Sequence, residues 1–307
     1  MNWSLAPVSI DDVLDSYGTY LRVNHLANFD RFRRIRSTNR ESVLAEAVVF
    51  QLLDQLGVDP RLNDTVEGGG VDFICNGSYR SPVLRRFASP KAEDQFVVEA
   101  TSLDLDAVTD RSSIPNEIED GGGPFSLLTH SIRNKAASKA TQLANYEMPR
   151  VLAIVSSHAG IAALFNPATA RYCLVSNPKW QTPIGGGPTT QITDLGSSVF
   201  LKPGQAGTIE ACRQSISAIL LVSVHGDRSR VYGILHPNPA RPLDIGFFSD
   251  VPFIRLADWP IVGGKIKTEW VIGEPERREF RHQRVTLPEQ ESQGVLLSVD
   301  PPTVKRN

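Results

Sequence analysis

The chain has 307 residues, 41% of them hydrophobic and 21% charged, with a net charge of -2. That is enough for one large domain or two modest ones with a proper core, and it gives no global attraction to nucleic acid, so any polyanion site must be a local patch. Cys75, Cys173 and Cys212 are scattered without metal spacing, and the longest apolar run, Ile216 to Val224, is too short to span a bilayer. With no signal-peptide pattern after Met1-Asn2-Trp3-Ser4, the expectation is reduced thiols, a cytoplasmic location and no membrane partner.

Ser9-Ile10-Asp11-Asp12 pairs an N-cap serine with an acid three residues on, which predicts one or two helices to about Ile35. These end in a basic cluster, Arg31, Arg33, Arg34, Arg36 and Arg40, readable as a solvated helix face or as a phosphate-binding rim. Residues 1–37 therefore read as an N-terminal helical segment. Thr38-Asn39-Arg40-Glu41 repeats the capping-box pattern and opens the clearest helix, to about Gln55, closed by Gly57. Val43, Ala47, Phe50 and Leu53 give that helix a wide apolar face. Glu46 falls among them, placed either to touch a metal or its water from the side or to pair with an arginine or lysine.

Strands are expected at Leu62 to Val66 and Val71 to Cys75, around Gly68-Gly69-Gly70, and at Phe96 to Glu99. Asp72 and Glu99 are thus embedded in short apolar runs. A buried acid is costly unless it is paired or binds a metal, and two acids on neighbouring strands can share a hard cation such as Mg²⁺, with Mn²⁺ as a substitute. The Ala100 carbonyl is a third candidate ligand. The intervening polar loop carries Arg85 and Arg86, as phosphate contacts or as an ordinary solvated surface. The acidic stretch up to Gly121-Gly122-Gly123-Pro124 reads as a flexible loop over the site.

A helix is expected from about Ser126 to Tyr146. Lys135, Lys139, Gln142 and Tyr146 recur at i, i+4, i+7 and i+11 and share one face of it. Arg150 to Ser156 is apolar enough to be a central strand. A small helix around Gly160 to Phe165, a Pro/Gly/Thr-rich insertion near 166–207 and a short helix at Thr208 to Ser215 follow. Ala218 to Val224 and Arg230 to Leu235 then form a hairpin, and His236-Pro237-Asn238-Pro239 forms a turn. The tail, 274–307, is charged and Pro/Gln-rich and reads as partly disordered. No Gly-x-Ser-x-Gly elbow, His-Glu-x-x-His or dinucleotide fingerprint competes.

Glu46, then Gly69-Gly70-Val71-Asp72, then Val98-Glu99-Ala100-Thr101 resembles the PD-(D/E)XK nuclease superfamily, in particular its methylation-directed restriction branch. The resemblance covers roughly positions 41 to 156 and rests on the order and spacing of degenerate motifs. It implies an α/β fold with a restriction-endonuclease-like α-β-β-β-α-β core, a mixed sheet flanked by helices, within 38–273. It also implies a Mg²⁺-dependent endodeoxyribonuclease acting on DNA, in restriction or phage defence, with Gln142 facing the site. Thr101 stands where the family usually has lysine, so an ammonium must come from Lys135 or Lys139, or be absent. The alternative is a catalytically inactive nuclease-fold protein that binds nucleic acid or serves assembly. A homodimer is compatible with either.

Overall fold

The computed structural model describes residues 9–63, 70–77, 94–103, 124–158, 164–176, 178–181, 190–193, 195–225, 228–248, 251–261 and 266–272. Helices α1 (Ile10–Asn24), α2 (Leu26–Thr38) and α3 (Arg40–Leu56) come first. α1 starts on the expected capping box, with Ser9 and Asp12 each bonding the other's backbone N–H. α3 is capped one residue later than expected. The Asn39 side chain, not that of Thr38, accepts the Ser42 N–H at 3.1 Å. Gly57 ends the helix at φ 72°, a left-handed conformation that costs a residue without Cβ nothing.

Strands β1 (Pro60–Leu62), β2 (Phe73–Asn76), β3 (Gln95–Ser102) and β4 (Arg150–Ser156) follow, with α4 (Pro124–Leu143) between β3 and β4. After β4 come α5 (Pro167–Val175), β5 (Pro178–Gln181), β6 (Thr190–Thr193), β7 (Leu201–Pro203) and β8 (Ile209–Ala211). The chain then continues with β9 (Ala218–His225), β10 (Arg228–Leu235), β11 (Pro252–Leu256) and β12 (Thr268–Ile272). Eight strands form one mixed sheet in the order β1-β2-β3-β4-β9-β10-β11-β12. β4 lies parallel to both β3 and β9, and β2 pairs antiparallel with β3, setting Phe73 opposite Val98. Every residue of β4 is buried, which is why it reads as a continuous apolar run.

Helices cover both faces. On one, α1 and α3 bury Leu14, Tyr17, Val48 and Leu52 against Phe96, Val98 and Val151. On the other, α4 and α5 bury Ile132, Ala136 and Leu174 against Val97, Leu152 and Ile219. Successive β3 residues thus alternate between the two cores, as a pleated strand requires. The N-terminal helices share the core of α3 and the sheet.

Several expectations for the second half are corrected. The stretch 166–207 contains α5, in which Ala170, Cys173 and Leu174 are buried. Asn166 accepts the Thr169 N–H at 3.0 Å and Pro167 occupies the first turn, where its missing N–H costs the helix nothing. Thr208 to Ser215 is no helix. It contains β8, paired with β7. β11 and β12 extend the sheet beyond the expected hairpin. The small helix expected at Gly160 to Phe165 falls largely outside the described residues. So do most of the strand at Leu62 to Val66, the Arg85/Arg86 loop, the acidic loop after β3 and the tail. Among the described residues, no helix is long and apolar enough to cross a membrane.

Candidate active site

Asp72 sits immediately before β2, and Glu99 lies inside β3, on the neighbouring strand. Val97 and Leu103 send their N–H groups to the Pro149 and Val155 carbonyls on the β4 side, at 2.9 and 2.8 Å. Ala100 has the opposite parity and faces the β2 side, where its N–H donates to Asp72 Oδ2 at 2.7 Å. In extended backbone, the carbonyl of a residue points to the same side as its N–H. The Ala100 carbonyl is therefore turned towards Asp72, as a shared cation would need.

Glu99 faces α4. Lys139 Nζ donates to Glu99 Oε1 at 2.5 Å, and Gln142 Nε2 donates to Glu99 Oε2 at 3.1 Å. Gln142 Oε1 in turn accepts from Lys139 Nζ at 3.1 Å, and Gln142 Nε2 reaches the Gly70 carbonyl at 2.7 Å. Lys139 and Gln142 are three apart on α4 and so adjacent on its surface. Lys135, one turn earlier, is half-buried, and it is Lys139 that the helix delivers to Glu99.

Tyr146, just beyond α4, carries a role that its place on the lysine face did not disclose. Its hydroxyl accepts from the Val71 N–H at 2.9 Å and from Asn63 Nδ2 at 3.0 Å. Asn63 N–H also donates to the Asp72 carbonyl at 3.0 Å. Together these bonds pin both ends of the segment that brings Asp72 to the sheet. The i, i+11 spacing from Lys135 was the available sequence signal, but it gives a face, not a partner.

Glu46 approaches from α3, on the other side of the sheet edge. With Asp72, Tyr17 and Arg31 it lines a narrow cleft of about 90 Å³. Burial raises its pKa to about 7, Glu99 adds to the rise, and Arg31 opposes it. Burial also holds Asp72 well above the usual carboxylate range, reinforced by Glu99 and Glu46 and opposed by the Ala100 N–H and Lys139. Glu99 is raised by burial too, with Lys139 and Gln142 pulling the other way. Three acids thus meet two cations, Lys139 and Arg31, in a poorly solvated corner. Such a corner is short of positive charge whenever its acids ionise.

A hard divalent cation fits that deficit and the donor set. Asp72, Glu99 and the Ala100 carbonyl offer oxygen ligands, and Mg²⁺ takes one or two carboxylates and leaves its other positions to water and phosphate. Among the described residues there is no group of three or more His, Cys, Asp or Glu side chains that could hold a metal ion, so any such ion would rest on fewer side chains and the Ala100 carbonyl.

Of the basic residues expected as a nucleic-acid rim, Arg33 and Arg36 line one cleft between α1 and α2, and several are engaged by neighbouring groups. Arg36 pairs with Asp15 at 2.7 Å and Arg40 with Asp11 at 2.6 Å, so both are bound to acids of α1. Arg34 Nε donates to the Asp30 carbonyl at 3.4 Å, and Arg33 lies over the Phe29 ring at 5.9 Å. Arg85 and Arg86 are outside the described residues. Arg31, in the same cluster, is the arginine that lines the acid cleft. His236 is a turn residue. It is buried, with Nε2 donating to the Cys212 carbonyl at 2.8 Å and Nδ1 accepting the Asn238 N–H at 3.0 Å, and burial lowers its pKa to about 4. Comparison with protein-family models, curated proteins and solved structures finds no match to this chain.

Proposed function

We propose that this chain is a metal-dependent endodeoxyribonuclease with a restriction-endonuclease-like core of the PD-(D/E)XK type, in which Lys139 on α4 takes the place of the lysine absent at Thr101. The observation that carries the reading is the Lys139 ammonium 2.5 Å from Glu99, on the strand beside Asp72. The element order α3-β1-β2-β3-α4-β4 supports it, since it is the order that the resemblance implies.

In this reading Asp72, Glu99 and the Ala100 carbonyl hold Mg²⁺ or Mn²⁺. When bound, such a cation polarises a phosphodiester and lowers the pKa of a water. The Lys139 ammonium, anchored by both Glu99 and Gln142, is a fixed positive charge beside the place where negative charge develops, and it needs no reorganisation at the moment of reaction. Gln142 couples the helix to the Asp72 segment through the Gly70 carbonyl, so ammonium and carboxylates are set by one side chain. Thr101, which can only hydrogen-bond, is left without the charged role.

The test is incubation of duplex DNA, single-stranded DNA and RNA with Mg²⁺ or Mn²⁺, beside Asp72→Asn and Glu99→Gln. Metal-dependent DNA cleavage, lost in both variants with the fold retained, is the expected result. A wild-type protein that cuts no nucleic acid with either metal overturns it in favour of a non-catalytic nucleic-acid-binding or assembly module.

A further inference from the structure

Helix α2 presents two adjoining faces to two different clefts. Asn28, Arg31 and Ile35, spaced i, i+3 and i+7, line the acid cleft. Phe29, Arg33 and Arg36, at i, i+4 and i+7 starting one residue on, line a second cleft of about 490 Å³ between α1 and α2. One residue is a 100° step around a helix, so the two clefts lie side by side. Phe32 touches both.

The second cleft sets cations over an apolar base. Asp15, Gly18, Thr19 and Arg22 line it from α1, again at i, i+3, i+4 and i+7. Gly18 lets the helices close up, because a Cβ there would meet Phe32 Cε1 at 3.1 Å. The floor is therefore aromatic, from Phe29 and Phe32. Three arginines face one acid, and that acid, Asp15, is already paired with Arg36 at 2.7 Å. Arg22 and Arg33 remain as cations of the cleft, both exposed. Arg33 lies over the Phe29 ring at 5.9 Å, which restrains its guanidinium before any ligand arrives.

We infer that this second cleft binds a nucleotide unit of the same nucleic-acid strand whose scissile phosphate is held at Asp72, where the acid cleft meets the catalytic carboxylates, with Arg22 and Arg33 on its phosphates and Phe29 and Phe32 beneath its sugar or base. A polynucleotide is favoured over a free nucleotide because one helix walls both clefts and one side chain joins them, so a linear polyanion can occupy both. The inference rests on the nucleic-acid reading above, and its test separates the two.

The test is fluorescence anisotropy of a labelled single-stranded oligonucleotide in EDTA, where metal-dependent cutting cannot consume the probe. Affinity is followed against salt for the wild type, for Arg22→Ala/Arg33→Ala and for Arg22→Lys/Arg33→Lys, with melting midpoints as a check on folding. Loss of two phosphate contacts should make the slope of log K against log salt shallower by about 1.4 in the alanine pair, at roughly 0.7 per single-strand contact, while the lysine pair keeps the wild-type slope. Thr19→Glu, which places a like charge in the cleft, should also weaken binding. Unchanged slope and affinity in the alanine pair overturn the inference, as does a wild type that does not bind the strand. Displacement of the probe by a mononucleotide as effectively as by unlabelled oligonucleotide also overturns it, in favour of a free-nucleotide pocket. Should the alanine pair lose slope while the wild type cuts nothing with any metal, the cleft stands and the catalytic reading falls.

Discussion

Replacing Lys139 by methionine keeps an unbranched apolar stem of four heavy atoms but removes the ammonium. In the wild type that ammonium lies 2.5 Å from Glu99 Oε1 and 3.1 Å from Gln142 Oε1. The Lys139 side chain is 28% exposed and that of Glu99 only 4%, so the pair is half-sheltered, and an exposed-pair discount does not fully apply. Without it Glu99 keeps Gln142 as its donor at 3.1 Å and loses the cation that opposes its raised pKa. Its pKa should therefore climb further.

Two consequences then separate. Cleavage should fall by about 10²-fold or more, the scale of losing one preorganised charge that stabilises a transition state. Mn²⁺ binding, measured by calorimetry at several alkaline pH values, should persist or tighten, because an ammonium is not a ligand and its departure removes a positive charge from beside the ion. Lys135→Met, one turn away, is the control and should retain most of the rate. A Lys139→Met protein that cuts DNA at the wild-type rate would refute the role given to this lysine. Equal losses in cleavage and Mn²⁺ binding would instead show that Lys139 only props up Glu99.

Tyr146→Phe removes the acceptor of the buried Val71 N–H, and at roughly 1–3 kcal/mol for an unsatisfied buried group the melting midpoint should drop, with cleavage falling as Asp72 loosens. Gly233→Ala should destabilise by more than the usual ~1–3 kcal/mol of overpacking, because its Cβ would stand 2.1 Å from Phe253 Cδ1 on the neighbouring strand; unaltered chemical denaturation would count against the β10–β11 packing. Glu46 supplies the pH prediction. Its folded pKa of about 7 lies above its ordinary 4.5, so the folded state binds the proton more tightly, and stability falls as pH rises from about 4.5 through 7. A shift of that size corresponds to on the order of 3 kcal/mol, so in EDTA Glu46→Gln should flatten the decline between those pH values, and equal slopes for variant and wild type would contradict it.

The parts of this fold that are legible in the sequence are those whose signals are local. The α1 capping box, the unbroken apolar run of β4 and the helical spacing of Lys139 and Gln142 each state their structure within a few residues. α5 and β8 do not. Asn166-Pro167 starts a helix or breaks one according to what lies beneath it, and a short polar stretch such as Ile209–Ala211 becomes a strand only because β7 is there to pair with it. β11 and β12 are likewise defined by the partner edge that β10 offers.

The site divides in the same way. Asp72 and Glu99 announce themselves as acids in apolar runs, but their geometry depends on a departure from regular pairing. β2 begins at Phe73, one residue after Asp72, so the backbone of Ala100 meets a side chain where continued pairing would have supplied a strand. That interruption lets Asp72 accept the Ala100 N–H, on the side to which the Ala100 carbonyl also points. Regular β-pairing there would have used both groups in the ladder and left nothing to face a cation. Tyr146 belongs to this interruption, since it satisfies the Val71 N–H that the missing ladder leaves over. Its role could not be read from its own neighbours, because the group it satisfies exists only where a strand 75 residues away stops short.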